Sequence, residues 1–489
     1  MASFLSIIKA SSAIGMFCGA AYVYFSKSNL KFLQVQKTNN VLNNVSQDIK
    51  SEILDRLSDI EILSKKICEE VMLVTPPDTL KKSLSSTLLE KLNSNNYNIH
   101  KNLEGTLNSL SVRTKNDDFL TKFVSKNGLL MLKDLLLYTN HGECLTDDIS
   151  MPLSEILANI SQKKESIELL NFECVNSLLK SWQKDSNIVL NLNVTKIFSN
   201  ISELKQNQRE KKIYPPDVFL LDHHKNILEI KDYDIIFING MLGSVYFTWR
   251  QHDNECEIDT SEKTKCWPRD WLSVALPRAR VIGINALLRP FVWNPMSDID
   301  KINRSIEDRA KQISNKLKIA QVGSRPILWV THSAGGILLK HILHLNEDNN
   351  LASSTKGIMF MSTPHSGAQS MLGLYYFPFK YFLTPEAKHL ETNSQVLLNL
   401  NQWFKSFVKE KKIEILTLTE TEPTKINKFY STIIVPKCDG EFDGHEQLKI
   451  KSNHLYISKP KSQSDQIYVA VLNFVMKTLV NRGDFDAIN

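Results

Sequence analysis

The sequence predicts an all-α front followed by an α/β domain, in which a mostly parallel sheet is covered by helices on both faces. Three observations carry this. From about Asn40 to Gln208 apolar residues recur at helical spacing with few prolines or glycines, as in Phe119, Leu120, Phe123, Leu129, Leu130, Leu132, Leu135 and Leu136. Past Tyr214-Pro215-Pro216 short β-branched runs alternate with amphipathic helical patterns. Those runs are apolar throughout rather than at every second residue, which marks strands buried on both faces.

The 489 residues exceed what one core usually organises, so two or more domains are expected. With 42% hydrophobic and 23% charged residues the chain has the composition of a folded protein. The lysines are dispersed and the net charge is only +6, so nucleic acid is not an expected partner. The seven cysteines (Cys18, Cys68, Cys144, Cys174, Cys256, Cys266, Cys438) are odd in number, scattered, and form no C-x-x-C pair. That argues against zinc or redox chemistry and for a reducing compartment, with Cys256 and Cys266 as free thiols. No cofactor or metal is expected.

At the amino terminus, no charge occurs between Lys9 and Lys27, and segment 10–25 is apolar, small or aromatic. About sixteen residues at about 1.5 Å each just reach across a bilayer core of about 30 Å. Lys9, Lys27, Lys31 and Lys37 precede the first acid, Asp48, a basic lead suited to a signal anchor or a mitochondrial address. A secretory signal peptide and a buried helix are the rival readings. Residues 1–39 are therefore read as a membrane anchor or targeting segment, 40–213 as the helical domain and 214–489 as the catalytic domain.

Within the helical part, Ile156-Leu157-Ala158-Asn159-Ile160-Ser161 resembles Ile197-Phe198-Ser199-Asn200-Ile201-Ser202, about forty residues later. That period falls in the armadillo or HEAT range, in which stacked helix pairs expose a groove for a protein partner. Coincidence within an ordinary helical domain is the other reading.

The α/β part opens with a strand at 234–239, followed by strands at 279–285 and 326–331. Ile306, Ala310, Ile313 and Leu317 mark a helix between the last two. Further strands are expected at 357–362, 413–419 and 432–435, and Tyr468, Val471, Leu472, Val475 and Leu479 mark a closing helix.

The strand ending at Thr331 runs through His332-Ser333-Ala334-Gly335-Gly336 into a helix. This is the strand–turn–helix elbow of an α/β-hydrolase, with Ser333 as nucleophile and Thr331 replacing the usual first glycine. Small residues permit the sharp turn, and the Ala334 amide sits at a helix amino terminus, where an oxyanion is stabilised. A serine capping a helix is the bland alternative. The fold orders its triad Ser, Asp/Glu, His. His454, after the last expected strand, fits the base. His341 and His344 lie too far along the elbow helix, and His365 precedes both acid candidates. Those acids are Glu420, at the end of the 413–419 strand, and alternatively Asp439, in the loop Cys438-Asp439-Gly440. The second oxyanion donor is expected in Asn239-Gly240-Met241-Leu242-Gly243, from the Met241 amide or alternatively that of Leu242. The aromatic stretch 372–383 reads either as a lid or acyl-chain wall, or as core.

These motifs, with Thr248-Trp249-Arg250-Gln251, Cys266-Trp267-Pro268-x-Asp270-Trp271-Leu272, Thr363-Pro364-His365-Ser366-Gly367, Glu420-Thr421-x-Pro423-Thr424 and His454-Leu455-x-Ile457-x-Lys459-Pro460, resemble the serine active site-containing protein 1 family over the whole carboxy-terminal half. The resemblance implies a lipase-like serine hydrolase at mitochondria and their contacts with the endoplasmic reticulum. It also implies phosphatidylglycerol acyl-chain remodelling, linked to cardiolipin composition and intracellular cholesterol handling. By matching motif Ser333 is the nucleophile, His454 the base and Glu420 the acid. The sequence departs at Asn239, where many relatives have histidine, and at Ala334, where many have methionine. The substrate expected is a membrane phospholipid, its acyl group passing to water or to a lysophospholipid. Two alternatives remain: a glycosylphosphatidylinositol-type lipid deacylase, and a membrane-anchored scaffold whose hydrolase domain does no chemistry.

Overall fold

Strands that are apolar on both faces require helices above and below them, and the computed structural model of the chain has that arrangement. It describes residues 97–126, 128–139, 146–206, 211–222, 231–252, 263–289, 305–367, 384–388, 394–425, 431–436 and 444–480. These fall into two compact units, one ending at Pro216 and the other running from Asp217 onward. The apolar segment 10–25 and residues 40–96 lie outside the described residues. Among the described residues no helix is long and apolar enough to cross a membrane.

The first unit is helical: α1 (Tyr97–Arg113), α2 (Asp117–Ser125), α3 (Gly128–Thr139), α4 (Asp147–Ile160), α5 (Glu173–Gln183) and α6 (Ile188–Lys205), with α4 packed against both α1 and α6. Asn116 and Asn187 cap α2 and α6 by accepting from the amides of Phe119 and Val189. The two look-alike segments make the same joint twice. Asn159 on α4 donates to Thr114 Oγ1 at 3.0 Å, at the end of α1. Asn200 on α6 donates to Ser161 Oγ, also at 3.0 Å, at the end of α4. Each asparagine is buried and partnered, which avoids the roughly 1–3 kcal/mol that an unsatisfied buried amide costs.

In the second unit the sheet consists of β1 (Val218–Leu220), β2 (Tyr233–Ile238), β3 (Ala279–Ile284), β4 (Ile327–His332), β5 (Thr355–Met361), β6 (Glu414–Glu420) and β7 (Glu446–Ile450). Its seven strands lie in the order β1-β3-β2-β4-β5-β6-β7, parallel except for β1. Helices α7 (Ile306–Ile319), α8 (Gly335–Leu345) and α9 (Gln395–Lys411) follow β3, β4 and β5, and α10 (Gln466–Val475) follows β7. Ile306, Ala310, Ile313 and Leu317 are buried, as their spacing requires. At the amino-terminal ends of the strands, Arg280 grips Asp234 through two bonds of 2.8 and 2.6 Å, and Arg325 adds a third contact at 3.3 Å.

The strand expected at 432–435 is not in this sheet. Ser431–Thr432 pairs instead with Thr424–Lys425 as a separate antiparallel ribbon. The place beside β6 belongs to β7, an edge strand whose Glu446 and Lys449 face solvent. An edge strand needs no continuous apolar run, so its sequence did not announce it.

Candidate active site

Chain order reverses between β2 and β4: from β2 the chain moves outward to β3, then returns to the other side of β2. A sheet of this kind opens a crevice beyond the carboxyl ends of those two strands. Ile238 of β2 lies opposite Thr331 of β4, so the Asn239–Gly243 loop and the Ser333 turn emerge side by side. Glycine is required there for space. A Cβ on Gly240 would stand 2.6 Å from that of Ser333, and one on Gly335 would stand 2.7 Å from the Asn239 carbonyl. One on Gly336 would collide with Thr363 Oγ1.

Ser333 adopts φ +54°, a left-handed conformation that costs a non-glycine residue roughly 1–3 kcal/mol unless the surroundings enforce it. Here they do. Its amide donates to the Met361 carbonyl of β5 at 2.9 Å, and α8 begins two residues later. The turn lifts Oγ out of the sheet toward His454, whose Nε2 lies 3.0 Å away. His454 Nδ1 lies 2.8 Å from Glu420 Oε2. The carboxylate accepts, so Nδ1 carries the proton and Nε2 is left to accept from the serine hydroxyl. Glu420, the last residue of β6, also accepts the amides of Ile434 and Val435 through Oε1, at 2.8 and 3.1 Å. Burial pushes the Glu420 carboxyl up, but the His454 charge and the hydrogen bonds from His454 and Val435 outweigh it and hold the group below its ordinary value. The acid is therefore ionised at neutral pH. Residues 432–435, misread as a strand, serve the acid with their backbone.

The sequence motifs with no evident chemistry turn out to brace the segment carrying the base. Thr248 accepts from Ser458 Oγ at 3.1 Å, Trp267 Nε1 donates to the Ser458 carbonyl at 3.0 Å, and the His252 amide donates to the Pro460 carbonyl at 3.1 Å. Trp249 and Trp267 pack edge-on against Phe237 of β2, with ring centroids 4.9 and 5.3 Å away, anchoring these braces to an inner strand. Two further contacts reach the main chain of His454. Its amide donates to Thr424 Oγ1 at 3.1 Å, and its carbonyl lies 2.9 Å from His332 Nε2. Sequence reasoning gave neither residue a role; Thr424 was visible only as a motif position and His332 only as the neighbour of Ser333.

Of the oxyanion candidates, Leu242 is spent: its amide donates to the Leu288 carbonyl at 3.1 Å. The amides of Met241 and Ala334 have no acceptor among the described residues, and they flank Ser333 from the two adjoining loops. Asn239 fixes the start of its loop, donating to the Gly240 carbonyl at 2.9 Å and accepting from the Ala286 amide at 3.2 Å. His365 Nδ1 instead lies 2.8 Å from the buried Lys340 Nζ, so it is engaged away from Ser333. Asp439 and the aromatic stretch 372–383 lie outside the described residues, as does Cys256. Cys266 is a buried free thiol whose pKa burial pushes up to about 12. Among the described residues no group of acids, histidines and cysteines could hold a metal ion.

No family model matches the chain. Among curated proteins it is 29% identical over 364 residues to Protein SERAC1 of Mus musculus, covering 72% of this chain and 54% of that protein. It is 32% identical over 263 residues to Protein SERAC1 of Danio rerio, covering 51% of this chain and 39% of that protein. The chain spans about half the length of the curated relatives it matches. Among solved structures it is similar to the Bacillus licheniformis lipase BlEst2, with a TM-score of 0.35 and 17% identity over 50% of this chain and 93% of that one. A phospholipase PlaB from Legionella pneumophila gives a TM-score of 0.27 and 15% identity, covering 39% of each chain. The fold assignment rests on the sheet order and the elbow, and these distant likenesses add nothing to it.

Proposed function

On the premise that the chain resembles the serine active site-containing protein 1 family, as its curated relatives show, we propose that it is a lipase-like serine hydrolase or transacylase acting on acyl esters. The observation that carries this is the unbroken relay from Glu420 through His454 to Ser333, with bonds of 2.8 and 3.0 Å and the serine at positive φ.

The chemistry follows from the atoms in place. Ser333 Oγ attacks the ester carbonyl carbon while His454 Nε2 takes its proton, and Glu420 stabilises the imidazolium. The carbonyl oxygen becomes an oxyanion, met by the amides of Met241 and Ala334, donors of a kind worth roughly 10²–10³ in rate each. Collapse breaks the bond to the leaving alcohol, which takes the proton from His454. An acyl group is left on Ser333. Water or an acceptor hydroxyl, deprotonated in turn by His454, then releases it.

The finer reading takes a membrane phospholipid as substrate, specifically phosphatidylglycerol acyl-chain remodelling that feeds cardiolipin composition and cholesterol handling. It places the protein at mitochondria and their endoplasmic reticulum contacts, held to the membrane through segment 10–25, with the helical unit open to a protein partner. Support comes from the motif resemblance together with the uncharged amino-terminal segment.

A fluorophosphonate probe tests the chemistry. Wild type is expected to label and Ser333→Ala is not; equal labelling of the two rejects Ser333 as the nucleophile, and no labelling of either leaves the scaffold reading. In cells carrying Ser333→Ala, phosphatidylglycerol acyl chains are expected to shift, and an unchanged lipid profile rejects that substrate.

A further inference from the structure

The relay accounts for both ring nitrogens of His454 without explaining what holds the ring at that spot. Its main chain is held as well, from two sides: the amide by Thr424 Oγ1 at 3.1 Å and the carbonyl by His332 Nε2 at 2.9 Å. A carbonyl only accepts, so His332 carries its proton on Nε2 and leaves Nδ1 bare. Its ring is buried, and that burial, together with the neighbouring His454 charge, brings its pKa down to about 3. It is neutral at physiological pH. Neutrality matters, because the two imidazole centroids are 5.0 Å apart and a second cation there would oppose the imidazolium that forms on His454.

We propose that His332 and Thr424 are positioning residues, a two-point clamp on the main chain of His454 that fixes its Nε2 against Ser333. Chain connectivity gives the clamp its meaning. His332 ends β4 and immediately precedes the nucleophile, so the strand end that presents Ser333 also holds the base. Thr424 lies four residues beyond Glu420, so the segment that supplies the acid also holds the base. All three reacting groups are thereby referred to the end of β4 and to the segment leaving β6. Misplacement of a reacting group by about 1 Å costs on the order of 100-fold in rate.

The inference rests on reading Ser333 as the nucleophile, and its test separates the two. His332→Phe and Thr424→Val keep bulk and remove the polar contact, whereas His332→Gln and Thr424→Ser retain a donor and a hydroxyl. Turnover of a soluble p-nitrophenyl ester and the rate of fluorophosphonate labelling are measured for each. The first pair is expected to lose roughly 10- to 100-fold in kcat and in labelling rate, with KM held within about twofold. The second pair recovers most of that loss. Wild-type rates in folded His332→Phe and Thr424→Val overturn the clamp, and so do Gln and Ser variants as slow as Phe and Val. Should His332→Phe fail to fold, the near-isosteric Thr424 pair decides. If wild type does not label at all, the nucleophile reading falls. The clamp is then read from the ring-nitrogen shifts of His332, identified by their loss in His332→Gln. A neutral Nε2–H tautomer that does not titrate between about pH 5 and 8 supports it, and an Nδ1–H tautomer or a titration in that window overturns it.

Discussion

Each end of the sheet holds a buried carboxylate, and the two differ first in the partner. At the amino-terminal end Asp234 is forked by Arg280 and touched by Arg325, both permanently charged. At the carboxyl end Glu420 faces His454, an imidazole that both accepts and donates protons, with Nδ1 2.8 Å from Oε2. The first carboxylate has nothing to exchange, so its pair is architecture. Under the proposed function the second sits beside a group that changes charge during the reaction, so the same kind of pair becomes chemistry. The fold adds position: the reversal of chain order opens a crevice at the carboxyl ends of the strands, the end to which Glu420 belongs.

The largest effect that would break this contrast is expected at the carboxyl end. Glu420→Gln keeps the shape and the amide contacts but favours the wrong tautomer of His454, and its kcat is expected to fall about 10³- to 10⁴-fold, as loss of a triad acid does elsewhere. Its melting temperature should stay close to that of wild type. A fall of less than about tenfold would move the acid to another residue, and Asp439 would be the one to replace next.

At the amino-terminal end the order of effects reverses. Asp234→Asn leaves Arg280 buried with its charge unmatched, which is expected to cost about 3–5 kcal/mol in denaturant unfolding. The folded fraction should label with fluorophosphonate at the wild-type rate. Replacing both partners, in Asp234→Leu with Arg280→Met, is expected to restore more than half of that stability, because buried ion pairs are often no better than apolar residues of similar size. No double substitution of Glu420 and His454 would restore turnover. If the Asp234 variant folded well and labelled slowly, the two ends would be coupled and the contrast would fail.

The sequence disclosed this unit unevenly, for physical reasons. The inner strands and the elbow were legible because burial on both faces and a tight turn leave few residue choices; Ser333 could be named from the elbow and His454 from its order in the chain, whereas order left two acids, Glu420 and Asp439. Edge strands β1 and β7 were not, since one is three residues long and the other is half solvent-facing. The 432–435 run looked like a strand because Ile434 and Val435 are buried, yet their amides serve Glu420 instead of a ladder. Roles that depend on a long-range contact, such as those of Trp267, Thr424 and His332, leave no local pattern to read. In the helical unit the reverse holds: Asn159 and Asn200 announced their joint because it repeats. Asn200→Ala is expected to destabilise that unit by roughly 1–3 kcal/mol and leave labelling of Ser333 unchanged, measured as unfolding followed by circular dichroism.

The smallest effect is expected in the pH dependence of stability at the carboxyl end. Glu420 has its folded pKa below the unfolded value, so its ionised form is favoured by folding. The sign is then fixed: its contribution to stability is complete above the ordinary carboxylate range and disappears as the pH falls through the lowered folded value. Glu420→Gln removes a group whose protonation favours unfolding. Wild type should therefore lose stability more steeply than the variant on acidification from about pH 5, and the two curves should run parallel at neutral pH. Parallel curves throughout the acid range would mean that Glu420 gains nothing from its partner on folding, and would take the electrostatic side of the relay with it.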